Sequence, residues 1–162
     1  MKKNTKREGF TLVELLIVIV VIGVLSAMMM LSSTEAVSSA KAADIVSDLR
    51  NLKTAALAWY ADNLDYVGGT KINNKEFNNL QGERASIIKY MNNENIDTKY
   101  DFGGNKTTGT WFVWYNIGSD TKVKEKLISR KSSTGLWGTT TKNATQSGDL
   151  DASSTYVGMF IR

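Results

Sequence analysis

The 162-residue sequence contains no cysteine, no histidine and no proline. Each absence removes a class of explanation. Without cysteine no disulfide can staple a domain, and no thiolate is present as nucleophile or metal ligand. Without histidine a Ser-His-Asp or Cys-His constellation is excluded, as is any metal centre that needs imidazole. Without proline a bend in a helix must come from weaker positions. Excess positive charge is also scarcer than the total suggests. The formal net charge is +4, but the first nine residues, MKKNTKREG, hold four cations and one anion, which leaves the remainder near +1. The composition therefore gives no electrostatic argument for a nucleic-acid partner, and none is expected. The chain is read as a non-enzyme with no metal and no cofactor.

What the sequence does have is one long apolar run, GFTLVELLIVIVVIGVLSAMMML, at residues 9–31. As a helix, residues 10–31 would extend about 33 Å at ~1.5 Å per residue, enough to cross a bilayer core. The four cations Lys2, Lys3, Lys6 and Arg7 stand ahead of it. That bias leaves the short leader in the cytoplasm and the rest of the chain outside. A cleaved secretory signal fits poorly, because its apolar core would be shorter and followed by a small-x-small site. Glu14 is the anomaly: an acidic residue within a span costs on the order of 3 kcal/mol on insertion scales and usually has a named partner. A cut after Gly9 would supply one. The new α-ammonium of Phe10 would sit one helical turn from Glu14, and a neighbouring copy could present its own amine to the same carboxylate. Such a pair would set register between subunits in an apolar surround. The bland alternative is a carboxylate that snorkels to water at the interface.

The segment KREGFTLVELLIVIVVIGVLSA closely resembles the class III signal of type IV pilins and pseudopilins, matching it at Gly9, Phe10, Thr11, Leu12, Val13 and Glu14. The resemblance implies cleavage between Gly9 and Phe10 by a prepilin peptidase, N-methylation of Phe10 by the same enzyme, and an assembly role for Glu14 together with Phe10, Thr11 and Leu12. It covers the leader and roughly the first 55 residues of the helix. Two departures stand out. Relatives often carry a proline where this sequence has Leu31, so only Gly23, Ser26 and the Ser32-Ser33 pair offer weak points here. Many also close the outer domain with a disulfide, so this head must rely on packing.

From about Thr34 the pattern turns amphipathic. Ile45, Leu49, Leu52, Ala56 and Trp59 are spaced 4, 3, 4, 3 along one helical face, and Val37 and Ala40 lead into them. Lys41, Asp44, Ser47, Asp48, Arg50 and Lys53 mark the wetter side. One helix is expected from about Thr11 to about Leu64, with two helices hinged at Ser32-Ser33 as the alternative. Gly68-Gly69 ends it and opens a polar connection. A short helix over 74–91, carrying Phe77, Leu80, Ile87, Ile88 and Met91, precedes a loop over 92–110. TWFVWYNIG (110–118) reads as a strand, with Trp111, Val113 and Tyr115 on one face and Phe112 and Trp114 on the other. Ser119 or Asp120 caps a helix through Lys131 carrying Val123, Leu127 and Ile128. Leu136-Trp137 is a short strand or buried anchor, 138–155 an exposed loop, and 156–161 a closing strand.

The expected fold is therefore α+β and type IV pilin-like: one long N-terminal helix, half apolar and half amphipathic, under a small antiparallel sheet. Its parts are a removable leader (1–9), a transmembrane and filament-core half (10–31), an amphipathic half (32–65) and a globular head (66–162). The aromatic set Trp59, Tyr60, Trp111, Phe112, Trp114, Tyr115, Trp137, Tyr156 and Phe160 is read as head core rather than as a stacking platform or conducting stack. Met28, Met29 and Met30 are read as adaptable packing. Asp97, Asp101, Asp149 and Asp151 match no standard calcium loop. Asn105 and Asn143 open Asn-x-Thr sequons, a weak signal here. The function expected is a structural subunit that polymerises into a homo-oligomeric helical filament. Its expected partners are the peptidase/methyltransferase, an assembly ATPase and platform protein, and inner-membrane lipid before assembly. The alternatives are a pseudopilin of type II secretion or DNA uptake, and an uncleaved anchored binding domain.

Overall fold

A computed structural model describes residues 9–63, 65–67, 70–72, 80–91, 96–105, 110–141 and 148–161. Phe77, Asn143 and residues 1–8 of the leader fall outside that set. The chain divides into two compact units, one up to Val37 and one from Ser38 onward. The helix α1 (Leu12–Asp62) contributes to both, and it is helical through Ser32 and Ser33. No proline interrupts its hydrogen-bond ladder, so the expected single helix is what the chain forms.

In the first unit the apolar side chains of α1 are uncovered on all sides. Ile17, Val18, Ile19, Val20, Val21 and Ile22 are consecutive, and each is 50–59 % exposed. A helix advances about 100° per residue, so six neighbours sample the whole circumference. Two hydroxyls here bond their own helix instead. The Ser26 hydroxyl donates to the Ile22 carbonyl at 2.8 Å and Ser33 to Met29 at 3.0 Å, which satisfies them without water.

In the second unit the exposure is reversed. Ala42, Ile45, Val46, Leu49, Leu52, Ala55, Ala56 and Trp59 are all buried, the stripe that the 4, 3, 4, 3 spacing predicts. Val37 lies at the end of the first unit and is exposed, as is Ala40, so the buried face opens on a polar residue, Ser38, and its apolar part starts at Ala42. After α1 comes a small hairpin, β1 (Asp65–Val67) paired antiparallel with β2 (Thr70–Ile72), where the sequence reading had a polar connection. The helix expected over 74–91 is, among described residues, a 3-10 turn (Leu80–Glu83) followed by the short α2 (Arg84–Ile88). Then come β3 (Tyr100–Asn105), β4 (Thr110–Asn116), α3 (Thr121–Thr134), β5 (Trp137–Thr139) and β6 (Tyr156–Phe160). The last four strands form one antiparallel sheet in the order β3-β4-β6-β5.

Strand alternation splits the aromatic residues between two faces. Tyr100, Phe102, Trp111, Val113, Val157 and Met159 join the α1 stripe in the main core. Phe112, Trp114 and Trp137, with Tyr156 packed on them, form a second buried cluster on the opposite face. The single aromatic core of the sequence reading is thus two cores separated by the sheet. The β4 face assignment itself holds residue by residue.

Two segments read as loops are structured. β3 lies within 92–110, where Asp101, Gly103, Gly104 and Asn105 look like turn residues. Gly103 is required because the Phe112 ring lies across it; a Cβ there would sit 2.3 Å from that ring. Gly158 is likewise roofed: a Cβ added there would run into the Trp137 indole. Within 138–155, Leu150 is fully buried, Ser154 is nearly so, and Gly138 pairs with Gly148.

Polar contacts from α3 and from the turn itself hold this returning segment. Lys124, buried, donates to the Ala152 carbonyl at 3.0 Å. Lys131, two turns further along the same face, pairs with Asp149 at 2.6 Å. Asp151 Oδ1 accepts from the Ser153 hydroxyl at 2.7 Å and from the Ser154 hydroxyl at 3.0 Å. α3 is capped at both ends: Asp120 accepts from the Val123 amide at 3.2 Å, and Gly135 ends it at φ 70°.

Candidate processing and assembly site

The start of α1 is fixed by one reciprocal arrangement. Thr11 is the N-cap: its carbonyl accepts the first helical bond, from Leu15 N–H, at 3.2 Å. Its hydroxyl accepts from the Glu14 amide at 3.2 Å. In return Glu14 Oε2 accepts from the Thr11 amide and from the Thr11 hydroxyl, both at 2.8 Å. This is a capping box, in which residues three apart satisfy each other's orphan donors. The carboxylate also sits in the first turn, where the helix dipole favours a negative charge. Both bonds fall on Oε2 and neither on Oε1.

The other sequence-predicted residues flank this box. Gly9 and Phe10 lie outside the helix and Leu12 is its first residue. Phe10 is 91 % exposed and Leu12 80 %. A Cβ added at Gly9 would meet nothing within 4 Å. The structure brings Thr11 and Glu14 together and leaves Gly9 and Phe10 exposed. The reciprocal bond is the feature the sequence reading missed, although the Thr-x-x-Glu spacing carries that signal.

Behind the box, α1 holds the stretch among described residues that is long and apolar enough to cross a membrane, with a mean hydropathy of 2.8. Residues 4–30 match the family model described as the prokaryotic N-terminal methylation motif.

The chain carries a class III prepilin signal.

That signal is the one found on type IV pilins and pseudopilins, and the long helix with a four-stranded antiparallel sheet is an α+β arrangement consistent with the pilin fold. The signal supports a pilin- or pseudopilin-like prepilin, and it implies processing by a prepilin peptidase and assembly into a pilus-type system. No curated protein and no solved structure matches it.

The prepilin's head offers less chemistry. Among the described residues no three His, Cys, Asp or Glu side chains stand where they could share a metal ion. The acidic candidates have other tasks. Asp149 holds Lys131, and Asp97 and Asp101 each accept from a nearby backbone amide. Asp151 caps its own turn, and the hydroxyls of Ser153 and then Ser154 hold its carboxyl below the usual carboxylate range. Tyr100 donates to Asp48 at 2.9 Å, tying the sheet to α1. Burial first, and the Asp48 carboxylate next, push its phenol far above the ordinary tyrosine range, so it stays a donor.

Proposed function

We propose that the mature form, beginning at Phe10, is a structural subunit of a type IV pilus. One observation carries this reading: the residues that match the methylation motif continue into a helix whose apolar side chains are exposed around its circumference. Such a surface is stable only against lipid or other apolar helices. The subunit waits in the inner membrane with its head outside. The peptidase cuts after Gly9 and methylates Phe10. Glu14 then draws the subunit to the growing base by accepting the Phe10 amine of a neighbour, for which Oε1 is the oxygen outside the capping box.

Residues 12–31 leave lipid for a bundle of identical helices. Apolar packing exchanges one apolar surround for another, so assembly and extraction are close to balanced and an ATPase acting through a platform protein can drive either. In this reading residues 10–31 form the filament core, 32–65 the helix half beneath the head, and 66–162 the head.

The Glu14→Ala variant tests the account. Leader removal should proceed normally, while filaments recovered by shearing fall at least tenfold. Normal filament yield from that variant would sink the registry role. A pseudopilin of secretion or DNA uptake would give the processed subunit in the membrane fraction without sheared filaments.

A further inference from the structure

The capping box lies two residues downstream of the bond that the proposed processing cuts, and its position has a consequence for the peptidase. In an uninterrupted helix the Glu14 amide would donate to the Phe10 carbonyl and the Val13 amide to the Gly9 carbonyl. The scissile carbonyl would then be tied up along the helix axis, and its peptide could not lie extended in a protease cleft, where backbone groups pair with the enzyme. In this chain the Glu14 amide is diverted to the Thr11 hydroxyl at 3.2 Å, and the first helical bond is made by the Thr11 carbonyl. Gly9, Phe10 and Thr11 are outside the helix, and Phe10 is 91 % exposed. Lys6, Arg7 and Glu8 ahead of the cut are good helix formers, so of the residues just before it only Gly9 opposes a helix running through the site by intrinsic preference.

We propose that Thr11 is a positioning residue for leader removal: its hydroxyl stops α1 at Leu12, so that the Gly9–Phe10 peptide bond is presented to the peptidase in a non-helical form. The inference rests on the prepilin reading above. It divides the box into two tasks. The Thr11 hydroxyl, as acceptor for the Glu14 amide, sets the helix start and serves cleavage. The Glu14 carboxylate serves assembly. Replacing Glu14 by Ala removes the carboxylate but keeps the amide at position 14, so the stop survives.

The test is the rate of leader removal from the full-length chain in membranes that contain the prepilin peptidase, for wild type, Thr11→Val, Thr11→Ser, Thr11→Asp and Glu14→Ala. Valine keeps the shape of threonine and loses the acceptor; serine and aspartate are N-cap residues of different shape and charge. The expected result is about fivefold slower cleavage for Thr11→Val, with the other three within twofold of wild type. In micelles, backbone chemical shifts of Thr11→Val should show helix extended back over Gly9 and Phe10.

Wild-type cleavage of Thr11→Val would overturn the proposal. So would rescue by Ser but not Asp, which would assign the effect to a direct hydroxyl contact with the enzyme. A wild-type chain that is never cut between Gly9 and Phe10 overturns the prepilin reading itself, whatever the variants do.

Discussion

The two halves of α1 have the same backbone and opposite surroundings. From Ile17 to Ile22 every side chain is at least half exposed, whereas Ile45, Leu49, Leu52 and Ala56 are at most 5 % exposed. The difference lies in patterning rather than in helix propensity. The first half is apolar at nearly every position, so no face is left for water. The second half confines its apolar residues to one stripe, with Lys41, Asp44 and Arg50 exposed beside it. A uniform surface suits a uniform apolar solvent, and a striped one suits a protein core on one side and water on the other. Polar groups follow the same division. In the first half Ser26 and Ser33 bond only their own helix; in the head some polar groups also tie distant segments together, as Lys124 does to Ala152 and Tyr100 to Asp48.

The sharpest way to break this comparison is to damage each half separately. Leu49→Ala removes a fully buried side chain from the head and should cost about 2–5 kcal/mol of its stability. Thermal unfolding of the full chain in detergent would report it, while the membrane-bound fraction of the prepilin stays unchanged. Val20→Lys should do the converse. A lysine near the middle of the span costs roughly 3 kcal/mol of insertion free energy, so the membrane-bound fraction falls, while head unfolding in detergent shifts little. If Val20→Lys lowered head stability as much as Leu49→Ala, the two halves would not be energetically separate.

A smaller effect sharpens the account of the second core. Gly158→Ala places a Cβ 2.4 Å from the Trp137 indole, and the overpacking should cost about 1–3 kcal/mol. Adding Trp137→Ala should remove the share of that cost set by the indole and leave the share set by the Val113 carbonyl oxygen, 2.8 Å from the same Cβ, measured as a double-mutant cycle in denaturant; additive losses would mean the indole does not roof the glycine.

The smallest expected effect concerns Asp151. Its folded-state carboxyl is held below the ordinary range by the Ser153 and Ser154 hydroxyls. Its contribution is therefore present above the unfolded carboxylate range of about 4 and is lost as pH falls through the lower folded value. Wild type should exceed Asp151→Asn in melting temperature at neutral pH, and the gap should close on acidification. A gap that widens in acid would contradict the hydrogen-bond account.

The sequence made some of this legible and concealed the rest for physical reasons. Leu49, Leu52 and Trp59 could be placed because helical periodicity records a single buried face. The faces of β4 could be placed because alternation does the same for a strand. The strand β3 was hidden because Gly103 is small for a contact made by Phe112, and a glycine shaped by its partner looks like a turn glycine. Leu150 was hidden by its Gly/Ser/Thr/Asn surroundings, since the lysines that anchor its segment lie on α3. At the proposed processing site Gly9, Phe10 and Glu14 were legible as a motif. The hydrogen bonds that give Thr11 its place were not, although the spacing from Thr11 to Glu14 permits them.

Mass spectrometry of material sheared from the cell surface decides whether this chain enters filaments with Phe10 as its first residue. The account predicts an abundant peptide that begins at N-methylated Phe10. Sheared filaments in which this chain still carries its leader, with no N-terminus at Phe10, would contradict it.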